Sequence, residues 1–323
     1  MKHNLKITAL VILFFLLSQA IGLGVLMKYV DYKKTKETGQ ISWKDLPYEI
    51  ERPKVQESTS FIYIFAAIII GTILLLGLIR TRVKFFWKLW FFLAVMSCLA
   101  ISFSAFIPAG IAFLLATMLA FWKIIKPNFY VHNLTELFIY GGIAAVFVPV
   151  MNVFSASLLL IIISIYDFIA VYKIKHMVTL AKFQSSENVF AGLYMPYSKK
   201  ESKLITSLKR RHGLEDKSFE TRKEKENENR KSNLKARTRN DFEIAILGGG
   251  DIALPLIFTG VILKTYGLLS SFTIILFSTL ALTYLLFKSE KKKFYPAMPF
   301  ITTGCFIGYI SILLLKNLFI ALI

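Results

Sequence analysis

Acids, cysteine and histidine are scarce in this chain. Its 323 residues hold 20 Asp and Glu against 39 Lys and Arg, with two cysteines and four histidines. Cys98 and Cys305 both lie in apolar runs, which points to no disulfide framework and no cysteine metal site. His3, His132, His176 and His212 fall outside the apolar runs or at their ends. No His-Glu-x-x-His sequence occurs, so zinc proteolysis inside a membrane is excluded and no metal or cofactor is expected. The apolar stretches are continuous, without the alternation of apolar and polar residues that a barrel strand needs.

What is abundant is apolar residue, 55% of the chain, gathered in runs near the roughly twenty residues that cross a hydrocarbon core of about 30 Å. Continuous runs of that length span a bilayer as helices. The class is therefore an all-α, polytopic membrane protein. A net charge of +19 would suggest nucleic acid in a soluble protein; here it reads as basic residues flanking membrane helices, with no nucleic-acid partner.

Nine spans are expected. They cover Ile7 to Met27, Phe61 to Ile79, Phe85 to about Ile107, Ala109 to about Ile125, and about Leu134 to Val150. Then come Ala156 to about Ile174, Phe242 to Leu263, about Leu268 to Phe287, and a last span from near Phe294 to the C-terminus. Lys28 to Ser60 reads as a polar loop. The chain thus divides into six spans over 1–175, a hydrophilic segment over 176–241, and three spans over 242–323. The middle segment is mildly apolar to about Tyr197. Beyond that it is charged and poor in aromatics, a composition expected to be disordered.

An N-terminus inside the cell gathers eleven basic residues on short cytoplasmic segments: Lys2 and Lys6; Arg80, Arg82 and Lys84; Lys123 and Lys126; Lys288 and Lys291 to Lys293. The first loop dissents with seven Lys and Arg, though six acids accompany them. The expected arrangement in the cell membrane is N-terminus and long loop in the cytoplasm, C-terminus outside.

The sequence is organised around Gly248-Gly249-Gly250-Asp251. A carboxylate at membrane depth costs roughly 2.5–3.5 kcal/mol on insertion scales and is a functional-site hypothesis by default. Three glycines beside it clear side chains from one patch and let another backbone approach. Glu136 and Glu243 fall near span ends, which leaves Asp167 as the other interior acid. At about 1.5 Å per helical residue, Asp167 and Asp251 both lie roughly 12–14 Å below the cytoplasmic surface. They stand on adjacent antiparallel spans, although 84 residues separate them.

Two carboxyls brought together in low dielectric cannot both ionise, and such a pair shares one proton. That equips them for hydrolysis of a peptide bond with no metal and no covalent intermediate. Acids at mid-membrane also serve as proton or cation relays in transporters and channels, and depth alone does not separate the two. The glycines favour proteolysis, because an unwound substrate needs close backbone partners, as in strand addition. A transporter would also carry paired broken helices, and the first half shows no counterpart to the glycine break.

Tyr166-Asp167 in the sixth span, Gly248 to Asp251 in the seventh and Pro296-Ala297-Met298 opening the ninth resemble the Y-D, G-x-G-D and P-A-L motifs of presenilin and signal peptide peptidase. Prepilin-type peptidases share G-x-G-D but cut at the membrane surface and lack the third motif. The resemblance implies a presenilin-like bundle of nine spans and an intramembrane aspartyl endopeptidase acting on single-span membrane proteins, such as remnant signal peptides or anchors. Asp167 and Asp251 would be the catalytic pair. Gly248 and Gly250, with Gly249 between them, would shape the site. Pro296 and Ala297 would hold its conformation and position substrate. Met298 stands where the family has Leu, a change that keeps apolar volume. Tyr166 would hydrogen-bond near the pair or fill space. The compact form resembles archaeal homologues, which implies a chain acting in the lipid bilayer alone or as a homo-oligomer.

Overall fold

The structure is a computed structural model that describes residues 5–81, 84–125, 128–174, 191–198, 242–289 and 295–321. Ten helices and two strands follow in chain order: α1 (Leu5–Tyr29), α2 (Tyr32–Thr38), α3 (Ser60–Thr81), α4 (Lys84–Ser104), α5 (Ala109–Ile125), α6 (Phe129–Phe147), α7 (Val153–Ile169), β1 (Gly192–Ser198), β2 (Phe242–Gly248), α8 (Gly250–Tyr266), α9 (Leu268–Lys288) and α10 (Met298–Ala321). A 3₁₀ turn, Val148–Val150, follows α6, and a π turn, Ala170–Ile174, follows α7. Among the described residues, six helices are long and apolar enough to cross a membrane, and two shorter stretches, Ser60–Leu74 and Ala109–Ile125, are apolar.

The helix at the centre is α8. Every residue from Ile252 to Leu263 is buried, as expected of a segment that is apolar on all sides. It packs against α1, α6, α7, α9 and α10. By contrast, α3 touches chiefly α7 and α4. Small residues set the closest approaches, as in membrane bundles generally. On α5, Ala112, Ala116 and Ala120 form a fully buried stripe at a spacing of four. On α6, a Cβ built on Gly142 would lie 2.0 Å from the Cys98 carbonyl oxygen of α4, so only glycine fits.

The structure departs from the sequence reading in four places. The fold is not purely helical: Phe242–Gly248, expected to open the seventh span, is a strand. It pairs antiparallel with β1, which lies in the segment expected to be a loop, with Gly192 opposite Gly248 and Ser198 opposite Phe242. The glycines explain the break, because three in succession give a helix no side chains to pack and no propensity to start earlier. The rest of the charged segment, 199–241, lies outside the described residues.

Secondly, α6, the helix of the expected fifth span, starts at Phe129 and not near Leu134. Asn128 caps it by accepting from the Tyr130 N–H, a common N-cap arrangement. His132 and Glu136, expected at or beyond the end of a span, are therefore buried inside it. Thirdly, Lys123 is only 2% exposed and pairs with Glu136. It is not one of the free cytoplasmic charges it was counted among.

Finally, the first loop is folded. Asp31 caps α2, Gly39 ends it in a left-handed conformation at φ 71°, and Val30 bridges to Trp43. Leu46 is buried, and the Tyr48 hydroxyl donates to the Ala109 carbonyl at 2.7 Å.

Candidate active site

Asp167 sits in the last turn of α7 and is 7% exposed. The π turn begins three residues later, a helix irregularity that is frequent at functional sites. One turn before it, the Ser164 hydroxyl donates to Thr302 on α10 at 2.7 Å. This staple brings the start of α10 over the carboxylate. There the Met298 N–H donates to Asp167 Oδ2 at 3.3 Å, and the Ala297 N–H donates to the same group. Pro296 and Ala297 precede α10, and Met298 is its first residue. The third motif thus reaches the first through its backbone. A Leu-to-Met change leaves those donors unaltered.

Asp251 lies in the first turn of α8, where an acid meets the positive end of the helix dipole. Its carboxylate accepts from the Gly248 N–H. A Cβ built on Gly248 would come within 3.1 Å of Asp251 Oδ2, while one on Gly250 would meet open space. The two glycines are therefore not equivalent. From α1, Gln19 Nε2 donates to the Ile252 carbonyl at 3.0 Å, tying the first turn of α8 to the N-terminal helix.

Both aspartates, Tyr166, the three glycines, Ala297 and Met298 line one cavity of about 730 Å³, and the two carboxyls are close enough to interact. Ile64 and Ile68 of the loosely packed α3 form part of its wall. The estimate of equal depth used a helical rise for the residues before Asp251, and those residues are a strand. What brings the two acids together is the packing of α7, α8 and α10.

A third carboxylate lines the same cavity. Glu136 is 1% exposed. It pairs with Lys123 and accepts from the Tyr140 hydroxyl, and its Oε2 accepts from the Gly192 N–H at 3.1 Å. Beside it, the Gly192 carbonyl lies 2.8 Å from His132 Nε2, and Asn133 bonds both the N–H and the C=O of Tyr194, at 3.0 and 2.9 Å. From sequence, His132 and Glu136 read as span-end residues and Lys123 as a cytoplasmic charge, and none of them as part of a site. The signal available was the cap at Asn128, which moves the helix start back and makes Glu136 an interior acid.

The β1–β2 sheet ends at the site, where the Gly249 N–H donates to the Ala191 carbonyl at 3.2 Å. Both main-chain groups of Tyr194 point to α6. In an antiparallel ladder, its neighbours Leu193 and Met195 are then the residues that bond β2. The N–H and C=O of Ile246, opposite Tyr194, point away from β1. Among the described residues no main-chain group pairs with them. The outer edge of β2 therefore stands open at Ile246, two residues before the glycines that lead to Asp251.

The family model of signal-peptide peptidase and presenilin aspartyl proteases matches residues 41–318. Two solved structures, both of a presenilin family intramembrane aspartate protease in different crystal forms, share the fold. One is 17% identical with a TM-score of 0.58, over 95% of this chain and 99% of that one. The other is 18% identical with a TM-score of 0.55, over 94% and 96%. No curated protein matches the chain.

Proposed function

The chain belongs to the signal-peptide peptidase and presenilin family and is an intramembrane aspartyl protease, and on that premise we propose that Asp167 and Asp251 are its catalytic pair. The observation that carries this reading is one cavity of about 730 Å³ lined by both aspartates, next to an open strand edge.

The chemistry follows from one proton shared between two acids. The ionised carboxyl takes a proton from water, and the oxygen attacks the scissile carbonyl carbon. The neutral carboxyl gives its proton to the carbonyl oxygen, forming a neutral tetrahedral diol. As the C–N bond breaks, the carboxyl protonated from water passes that proton to the leaving nitrogen. The diol returns its own proton to the other aspartate as the new carboxyl group forms. Water is consumed, and the pair ends with the one proton it began with.

The substrates are transmembrane helices of single-span proteins, including remnant signal peptides and anchors. A helical peptide bond is hidden by its own hydrogen bonds, so the substrate must be drawn out as a strand. The outward N–H and C=O of Ile246 offer it the backbone partners it loses. Gly248 leaves room for it beside Asp251. Ala297 and Met298 hold the Asp167 carboxylate through their N–H groups, and Pro296 fixes the chain just before them.

In the bilayer the chain crosses nine times, with the N-terminus in the cytoplasm and the C-terminus outside the cell membrane. Nine described helices of 17 to 25 residues support that count. Without Lys123, the basic residues flanking them still favour that orientation.

The test is cleavage of a single-span peptide by purified protein in lipid, compared with Asp251→Asn and Asp167→Asn, with and without a transition-state analogue of aspartic proteases. Cleavage by the wild type alone, blocked by the analogue, is the expected result. Cleavage that survives either substitution, or proton or cation flux that depends on Asp251 without any cleavage, would overturn the assignment.

A further inference from the structure

The two edges of the β1–β2 sheet meet different surroundings. Along β1, every outward main-chain group from Gly192 to Tyr194 is taken by a side chain of α6. Glu136 accepts from the Gly192 N–H, His132 Nε2 faces the Gly192 carbonyl, and Asn133 bonds both groups of Tyr194. The next outward position is Pro196, which has no N–H to offer. A helix with side-chain donors and acceptors at 132, 133 and 136 thus stands where a third strand would pair. It closes that edge to any incoming chain, the usual need at a strand edge.

The same side chains reach the catalytic turn. Glu136 accepts from Tyr140, and the Tyr140 hydroxyl lies 3.3 Å from where a Cβ on Gly249 would be. Lys123 of α5 balances the Glu136 charge and also donates to Thr135 at 3.1 Å. Gly192 sits at φ 139°, a conformation that L side chains rarely adopt, and there its N–H meets Glu136. These contacts hold β1 to α6, and β2 is registered on β1.

We propose that His132, Asn133, Glu136 and Tyr140, with Lys123, are positioning residues that seal β1 and so fix the register in which a substrate strand joins β2. This rests on the catalytic reading of Asp167 and Asp251 given above. It adds that the bond presented to them is selected by α6, whose side chains hold β1. A slip of the sheet along α6 moves the scissile bond relative to Asp251. A slip of one residue along a strand also exchanges its two faces.

The experiment uses the full chain in lipid and the same single-span peptide, with products sized by mass spectrometry. Two double variants remove the buried charge pair without stranding either partner: Lys123→Met with Glu136→Gln, and Lys123→Met with Glu136→Leu. The first keeps an acceptor for Gly192 and Tyr140, and the second does not. The Gln double is expected to keep the wild-type product. The Leu double is expected to spread cleavage over neighbouring bonds and raise KM roughly tenfold, as the loss of one or two positioning hydrogen bonds requires, with kcat changed much less.

Should the Leu double fail to fold, Asn133→Leu removes both bonds to Tyr194 without touching a charge and is expected to give the same spread. Identical product patterns for the wild type and for whichever of these loss variants folds would overturn the proposal. A wild type that cuts nothing would instead overturn the catalytic reading.

Discussion

Glu136 and Asp251 line the same cavity, yet their partners are of different kinds. Glu136 is met by a cation, a hydroxyl and a backbone N–H. Asp251 receives one backbone N–H from Gly248 and faces a second carboxylate. A carboxylate bonded on every side is held in place, whereas two carboxyls that face each other can share one proton. The contrast separates the carboxylate that holds the site from those proposed to work in it. In sequence the two differ only by their place in the apolar runs.

The comparison breaks most sharply under amidation. Asp251→Asn or Asp167→Asn is expected to lower cleavage by at least about 10²–10⁴-fold, the range for losing a general acid or base. Neither should lower the thermal midpoint in detergent, since the amide keeps an oxygen to accept from the backbone N–H groups that each aspartate meets. A loss of stability on amidation would show that the aspartates hold the fold as Glu136 does. The reverse holds at the other centre. Lys123→Met alone leaves Glu136 buried and uncompensated, and should destabilise by about 3–5 kcal/mol, read as a lowered midpoint. Restoration by adding Glu136→Gln would confirm that the stranded charge, and not lost packing, was the cause.

A finer test compares the glycines. Gly248→Ala puts a methyl within 3.1 Å of Asp251 Oδ2, whereas Gly250→Ala enters open space. The first should lower kcat/KM about ten- to a hundredfold, as expected for a displaced reacting group. The second should leave it near the wild type. The smallest effect belongs to the more exposed ion pair between Lys264 and Glu57, at 2.6 Å, in which Glu57 is 48% exposed. Glu57→Gln should shift stability by less than about 1 kcal/mol. A larger shift would narrow the contrast between that pair and the buried Lys123–Glu136 pair.

Much of the molecule was legible in order of residues alone. Runs near twenty residues long mark helices because a bilayer leaves the backbone no other partner than itself. Tyr166-Asp167, Gly248 to Asp251 and Pro296 to Met298 read together because each is a rare polar or helix-breaking feature in an apolar chain, and the structure brings residues of all three, though not Pro296, to the wall of one cavity. The apolar run from Phe242 misled, because a short apolar segment reads equally as buried helix or strand. It is a strand because Gly192–Ser198 pairs with it, and that partner lies across a long charged segment. Pairing between residues so distant leaves no local periodicity.

Helix propensity, apolar length and the sign of flanking charge are properties of neighbouring residues, and the sequence by itself determined them: a helical membrane protein with two interior aspartates. Which carboxylate is neutralised, which strand edge stays open and which glycine faces the acid depend on residues that meet only after the chain folds. Lys123 reaches Glu136 across a helix turnaround, Met298 reaches Asp167 from another helix, and Asn133 reaches Tyr194 from the helix that covers β1. Those partners are fixed by packing in three dimensions, so only the tertiary structure decided them.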